Sequence, residues 1–243
     1  SNPTADVALR MNGTCEDVTF APTRVAEPVT TQICWHTQVL PVNRTGAMWT
    51  TAHIQSVLHT GDCPYHAIIH TGFESKAKGL KLEIAASNVQ ANDTGLPGTV
   101  AAVRGAQRLL ATSCNLGWLA SEDIEWQVGE EGHQHAKDYW SRDAGTYYCN
   151  EVYFRTLHLI RSMPLLSERG SLLPVLFVHM PSLEETGEAA AIDIVRQVAA
   201  HMIWGAYLSV GASKLTEDEG HAASLDSTST LFGAVCGLTV TML

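Results

Sequence analysis

A chain of 243 residues, 45% apolar and 16% charged, has the composition of a globular protein with a substantial core. That length suits one large α/β domain or two small ones. A formal net charge of −10, with 15 Lys and Arg scattered along the chain, excludes the clustered basic surface of a nucleic-acid groove or a polybasic membrane patch. In chain order, Ala5 to Leu9 reads as part of a helix. Thr31 to Val42 carries a strand alternating around Ile33, Trp35 and Val39, and a helix follows over Ala47–Leu58. Tyr65 to His70 is an apolar strand, Gly79 to Val89 contains another, and Thr99 to Ala111 is rich enough in good formers to predict a helix. Cys114 to Gln134, rich in Glu, Gly and Trp, reads as an inserted excursion before a strand at Lys137–Ser141. Helices are then expected after Gly145 and over Glu185–Leu208, flanking a strand at Leu172–Val178. Ser213 to Thr230 is small and polar, as loops and linkers are. Leu231 to Leu243 is apolar but too short to span a bilayer, and suits a strand or a docked tail. Alternation of strands and helices without internal repeats predicts a three-layer α/β domain, its twisted central sheet mostly parallel with helices on both faces.

Six cysteines (15, 34, 63, 114, 149 and 236) are widely spaced and contain no C-x-x-C. They match neither a small disulfide framework nor a zinc pattern, so the five other than Cys149 are expected to be buried free thiols, as in a reducing compartment. Asn12, Asn43 and Asn92 each head an N-x-T tripeptide of the kind that accepts glycans in secreted proteins, although such tripeptides also arise by chance. With no signal-peptide pattern and no membrane-spanning run, the expected location is cytoplasmic.

The chemistry-bearing stretch is Asp143-Ala144-Gly145-Thr146-Tyr147-Tyr148-Cys149-Asn150. It turns at Gly145 and opens a helical pattern through Val152, Tyr153, Leu157 and Ile160. A cysteine at a helix start meets unpaired backbone N–H groups and the positive end of the helix dipole, both of which favour an anionic sulfur. About thirty residues on, the apolar run Leu172 to Val178 reads as a buried strand ending at His179, the residue expected to pair with Cys149 as nucleophile and base where the geometry allows. A rival cluster, Glu130-Glu131-Gly132-His133-Gln134-His135, holds metal-binding residue types. Its spacing matches no catalytic metal signature, and a solvated loop is the expectation. There is no G-x-x-x-x-G-K phosphate loop and no G-x-S-x-G elbow.

These residues resemble the pyroglutamyl peptidase I family of cysteine peptidases. Ala144–Asn150 is similar to the family's nucleophile segment, and Phe177-Val178-His179-Met180-Pro181 to its histidine segment. Leu82-Glu83-Ile84-Ala85-Ala86-Ser87-Asn88 resembles the strand that carries the third catalytic residue. The resemblance, weaker outside these islands, runs from about Asn2 to about Tyr207. It implies Cys149 as nucleophile, His179 as base and acid, and Glu83 as the residue orienting the imidazole. By position, Tyr147 and Tyr148 would line a ring pocket, and main-chain N–H groups around Tyr148, Cys149 and Asn150 would hold the oxyanion. The implied partners are small peptides with an N-terminal pyroglutamyl residue, with no nucleic acid and no membrane. No metal or organic cofactor is required, and self-association into a homo-oligomer is compatible with this chemistry. The competing reading is a non-enzymatic homologue that keeps the triad as a binding or interaction protein.

Two departures qualify the resemblance. The family opens with a strand and a Gly-Phe-x-Pro-Phe loop ahead of an Asn-Pro-Ser-like turn. Here Asn2-Pro3-Thr4 stands in the turn's place at the beginning of the sequence. The expected organisation is therefore a peptidase-like domain over 1–212 lacking that strand and loop, followed by a polar linker and apolar tail over 213–243. Leu231–Leu243 is the one spare strand-like segment. Second, bacterial members carry an arginine ten positions after the glutamate, where this chain has Asp93.

Overall fold

The structure is a computed structural model describing residues 3–20, 28–58, 65–75, 77, 80–92, 98–116, 140–141, 144–163, 172–182, 184, 187–215 and 235–242. Helix α1 (Pro3–Met11) begins on a proline, which fits a helix's first turn because its missing N–H has no intrahelical partner there. It ends before Gly13, whose φ of +74° suits glycine. The hairpin β1 (Cys15–Phe20) and β2 (Val29–Leu40) follows, then α2 (Arg44–Leu58) and β3 (Ala67–Phe73). The chain continues through β4 (Lys81–Glu83), β5 (Ala85–Ser87), β6 (Leu109–Ala111) and β7 (Trp140–Ser141). It closes with α3 (Tyr148–Ser162), β8 (Val175–Met180), α4 (Glu188–Leu215) and β9 (Val235–Met242).

Seven strands form the main sheet in the order β1-β2-β9-β3-β8-β4-β7. Its centre, β2-β9-β3-β8, is parallel, whereas β1 against β2 and β4 against β8 are antiparallel. The sheet divides the core in two. Val7, Met11, Trp35, Ile69, Val178, Val195 and Val198 pack on the α1 and α4 side. Ile54, Ile68, Val152, Phe154, Leu157 and Phe177 pack on the α2 and α3 side. Every residue of β8 is buried, as expected for a central parallel strand covered on both faces.

Several sequence expectations change. The helix predicted over Thr99–Ala111 does not form. Asn88 takes the N–H of Val103 on its Oδ1 (2.9 Å) and donates Nδ2 to the carbonyls of Val103 and Ala106, which holds the segment as a looped turn. Gly105 sits at φ +79°, and Leu109–Ala111 pairs with β5 as a two-stranded sheet. Helix propensity is a weak preference, and these tertiary hydrogen bonds override it. The strand expected within Gly79–Val89 divides at Ile84, with β4 in the main sheet and β5 in the small one. The antiparallel strand β1 has no counterpart in the sequence reading. The strand expected to end at His179 begins later, at Val175, and runs one residue further, to Met180. The 212/213 boundary falls within α4, and the apolar C-terminal segment provides β9 between β2 and β3.

The cysteine expectation is corrected too. Cys15 and Cys34 are directly opposed partners of β1 and β2 and form a disulfide, whereas Cys114 is a buried free thiol. Closing a loop of this size removes unfolded-state entropy worth about 3 kcal/mol. Glu130–His135 and Asp93 lie outside the described residues, as does most of the Cys114–Gln134 excursion. No helix is long and apolar enough to cross a membrane among the described residues.

Because β9 hydrogen-bonds to β2 on one side and β3 on the other, deleting residues 235–243 strips two ladders from the middle of the sheet. The truncated chain is expected to lose cooperative thermal unfolding by circular dichroism, whereas a tail docked on the surface would leave the transition nearly in place.

Candidate active site

Gly145 turns the chain at φ +79°, Tyr147 is extended (φ −101°, ψ −167°), and α3 starts at Tyr148. Cys149 is thus the second residue of the helix, half-buried and with a free thiol. Tyr147 offers no side-chain cap, so it leaves the N–H groups of the first turn to other acceptors. From β8, His179 points to the same side of the sheet, and its Nδ1 lies 2.6 Å from Oε1 of Glu83 on β4. Glu83 is only 1% exposed and His179 8%. With Nδ1 spent on Glu83, the hydrogen bond between His179 and Cys149 falls to Nε2.

Burial by itself would lower the His179 pKa, but the hydrogen bonds to Cys149 and Glu83 and their negative charges outweigh it, raising the value to about 9. His70, on the same face of β3, behaves oppositely. Among the described residues it bonds only Thr156 Oγ1 (3.1 Å) and has no acid beside it, and burial pushes it down to about 3. Phe177 lies between them, its ring 4.7 Å from that of His179 and 6.1 Å from that of His70.

Oxygens of Glu74 and Glu83 and a nitrogen of His179 lie within 4.8 Å of one another, a grouping that could hold a metal ion. These groups are already engaged with protein partners. Glu74 pairs with Lys81 Nζ at 2.7 Å, and Glu83 with His179.

No protein-family model matches the sequence, and no curated protein matches it. Solved structures do. Pyrrolidone carboxyl peptidase from Thermococcus litoralis superposes with a TM-score of 0.55 at 18% identity, covering 86% of this chain and 88% of that one. The Pyrococcus furiosus enzyme gives 0.54 at 16% identity, covering 86% and 92%. The Fervidobacterium islandicum enzyme gives 0.53 at 21%, covering 82% and 88%. The fold is that of the pyrrolidone carboxyl peptidases.

Within the pyrrolidone carboxyl peptidase fold of this chain, the three residues expected to act together come from three separate elements and meet in the order Cys149, His179, Glu83. The expected pocket residues divide. Tyr147 is half-buried with its ring 4.7 Å from that of Tyr148, but Tyr148 itself is 3% exposed and belongs to the core. Asn150 is fully buried, and its amide is committed to β5, accepting from Ser87 N (2.8 Å) and donating to Ser87 O (2.8 Å). What remains for Asn150 at a ligand site is its main chain, the part expected to help hold an oxyanion.

Sequence reasoning missed Gly72, which lies opposite His179 in the β3–β8 ladder. A Cβ there would stand 2.7 Å from Phe177 Cζ and 3.0 Å from Cys149 Sγ, so only glycine lets the sulfur sit against the sheet. It also missed Glu151, buried in the first turn of α3. Its Oε2 takes the Ala91 N–H at 2.8 Å and its Oε1 takes Arg155 Nε at 2.8 Å. An acid placed there complements the helix dipole and ties the helix start to the β5 loop. A glycine in a strand pattern and an acid in a first helical turn were the available signals.

Two measurements test this geometry. By NMR, the His179 imidazole is expected to titrate near 9, and Glu83→Gln and Cys149→Ser should each lower it. The sign follows from the raised folded value. The contact's contribution to stability is full below the ordinary histidine pKa of about 6.5 and drains away as pH rises through about 9. Gly72→Ala is expected to cost about 1–3 kcal/mol by overpacking and to displace the Cys149 sulfur, read as a lower melting temperature with slower alkylation of Cys149.

Proposed function

We propose that this chain is a cysteine peptidase of the pyrrolidone carboxyl peptidase family that removes an N-terminal pyroglutamyl residue from peptides. The observation that supports it most is the continuous line from the half-buried Cys149 thiol through His179 to the buried carboxylate of Glu83. In this reading Cys149 Sγ attacks the carbonyl carbon of the pyroglutamyl residue while main-chain N–H groups at the start of α3 hold the developing oxyanion. The imidazolium of His179 gives its Nε2 proton to the departing amine, leaving a thioester. Water, deprotonated by the now neutral His179, hydrolyses the thioester and frees pyroglutamate. Glu83 keeps the ring oriented and stabilises its charged form, the role of the acid in a triad.

Tyr147, half-buried and two residues before Cys149, is assigned one wall of the lactam pocket. Strand β9 stands in this reading for the strand with which the family opens, since it lies at the sheet's centre beside the strand carrying Gly72. The family's aromatic loop has no counterpart among the described residues. Weaker ring binding also loosens the scissile carbonyl, so the shortfall should appear in kcat/KM and not in affinity alone. Cys15 and Cys34, joined in a disulfide, are not the free thiols expected of a reducing compartment.

Cleavage of a pyroglutamyl-amide reporter tests the proposal. Turnover is expected and should vanish in Cys149→Ala, while His179→Ala should lower kcat by roughly 10²–10⁴-fold. Iodoacetamide should label Cys149 in the native protein and spare Cys114, whose thiol burial pushes up to about 12. A folded chain that is labelled at Cys149 yet never cleaves the reporter would sink the peptidase assignment and leave a binding protein.

A further inference from the structure

We propose that Asn43 and Asn12 are N-glycosylation sites and that the chain matures in an oxidising compartment that adds N-linked glycans. Two independent features carry this. The first is the Cys15–Cys34 disulfide between β1 and β2, in which Cys15 is exposed. Forming it takes two electrons and two protons from the thiols and needs a disulfide-donating oxidant, which secretory compartments supply and reducing ones oppose. The second is how the folded chain holds Asn12-Gly13-Thr14 and Asn43-Arg44-Thr45.

Both asparagines are exposed and lie in connections, Asn12 after α1 and Asn43 between β2 and α2. Each uses its amide in a way that leaves the reacting atom open. Asn12 Oδ1 accepts the Thr37 N–H at 3.0 Å, and Asn43 Oδ1 accepts the Gly46 N–H at 3.1 Å as the N-cap of α2. Neither Nδ2 has a hydrogen-bond partner among the described residues. Glycosylation occurs at Nδ2 and leaves the amide oxygen as an acceptor. A modified asparagine therefore keeps its structural hydrogen bond at both positions and points the sugar to solvent. Asn150, fully buried with its Nδ2 bonded to Ser87 O, heads no such tripeptide.

In the transfer, Nδ2 attacks the anomeric carbon of a lipid-linked oligosaccharide diphosphate. The Nδ2–C1 bond forms and the C1–O bond breaks. The lipid diphosphate leaves with the electron pair, and one amide proton passes to solvent. The third tripeptide, headed by Asn92, extends beyond the described residues.

The test is peptide mass spectrometry on the protein purified from the cells that make it, with and without peptide-N-glycosidase. The expected result is hexosamine-containing glycan on the peptides bearing Asn43, Asn12 or both, with aspartate at the released position. Cys15 and Cys34 should resist alkylation until reductant is added. Glycan at neither asparagine overturns the proposal whatever the state of the cysteines, and freely alkylated Cys15 and Cys34 overturn the compartment. Thr45→Ala, in the chain passed through a eukaryotic secretory host, should remove the Asn43 glycan while leaving Asn43 to cap α2. An unchanged melting temperature then separates loss of the acceptor site from loss of fold, and an unmodified wild-type chain from that host overturns the proposal as well.

Discussion

A carboxylate that is 1% exposed is the constraint around which the rest of this molecule is arranged. Taking Glu83 out of water costs several kcal/mol, and the structure offsets that with one short bond to His179. Its other oxygen is buried without a hydrogen-bond partner among the described residues, so the compensation rests on the imidazole being charged. That charge is in turn held by Cys149 on the far side of the ring. The three groups form a chain of mutual dependence, acid to imidazole to sulfur, in which each explains the state of the next. The surroundings are built to keep it still. Tyr153 Oη donates to the main-chain oxygen of Glu83 at 3.0 Å, and Phe177 packs against the imidazole.

The start of α3 shows how one short segment meets several demands. Cys149 faces the sheet, while its neighbour Asn150 clamps Ser87 and Glu151 binds the Ala91 main chain. The residues flanking the sulfur therefore fasten the helix end to the β5 region, immediately after Glu83. Position and reactivity share one set of anchors, so the acid and the sulfur are held in register through Asn150 on Ser87 and Glu151 on Ala91.

Much of this was legible from the residues. Helices α1, α2 and α3 and strands β2, β3 and β8 follow from periodicity, and the Cys149, His179 and Glu83 islands point to one site. The illegible parts share a cause. Strand β1 is short and carries Glu16 and Asp17, and it is a strand because β2 supplies the partner and Cys34 the cross-link. The false helix over Thr99–Ala111 had the right propensities, but Asn88, distant in sequence, satisfies its main chain differently. Gly72 lay just past the strand read over Tyr65–His70, and its role was hidden because the sulfur it accommodates arrives from another element. Local pattern reports local preference, and each of these outcomes was decided by a tertiary neighbour.

Strand β9 has a kinetic side. Ile33 pairs with Val235 and Ala67 with Gly237, so the middle of the sheet is closed by residues from the far end of the sequence. Until they arrive, β2 and β3 each present an unpaired edge rich in β-branched and aromatic residues, the kind of surface that pairs with the wrong chain. Long-range parallel pairing is also slow, because loop closure must precede any gain from contact. A ribosome-bound intermediate of this protein would hold Cys149, His179 and Glu83 already synthesised while the sheet that aligns them stays open. Assembly of this site therefore waits on β9, although Cys149, His179 and Glu83 all precede that strand in the sequence.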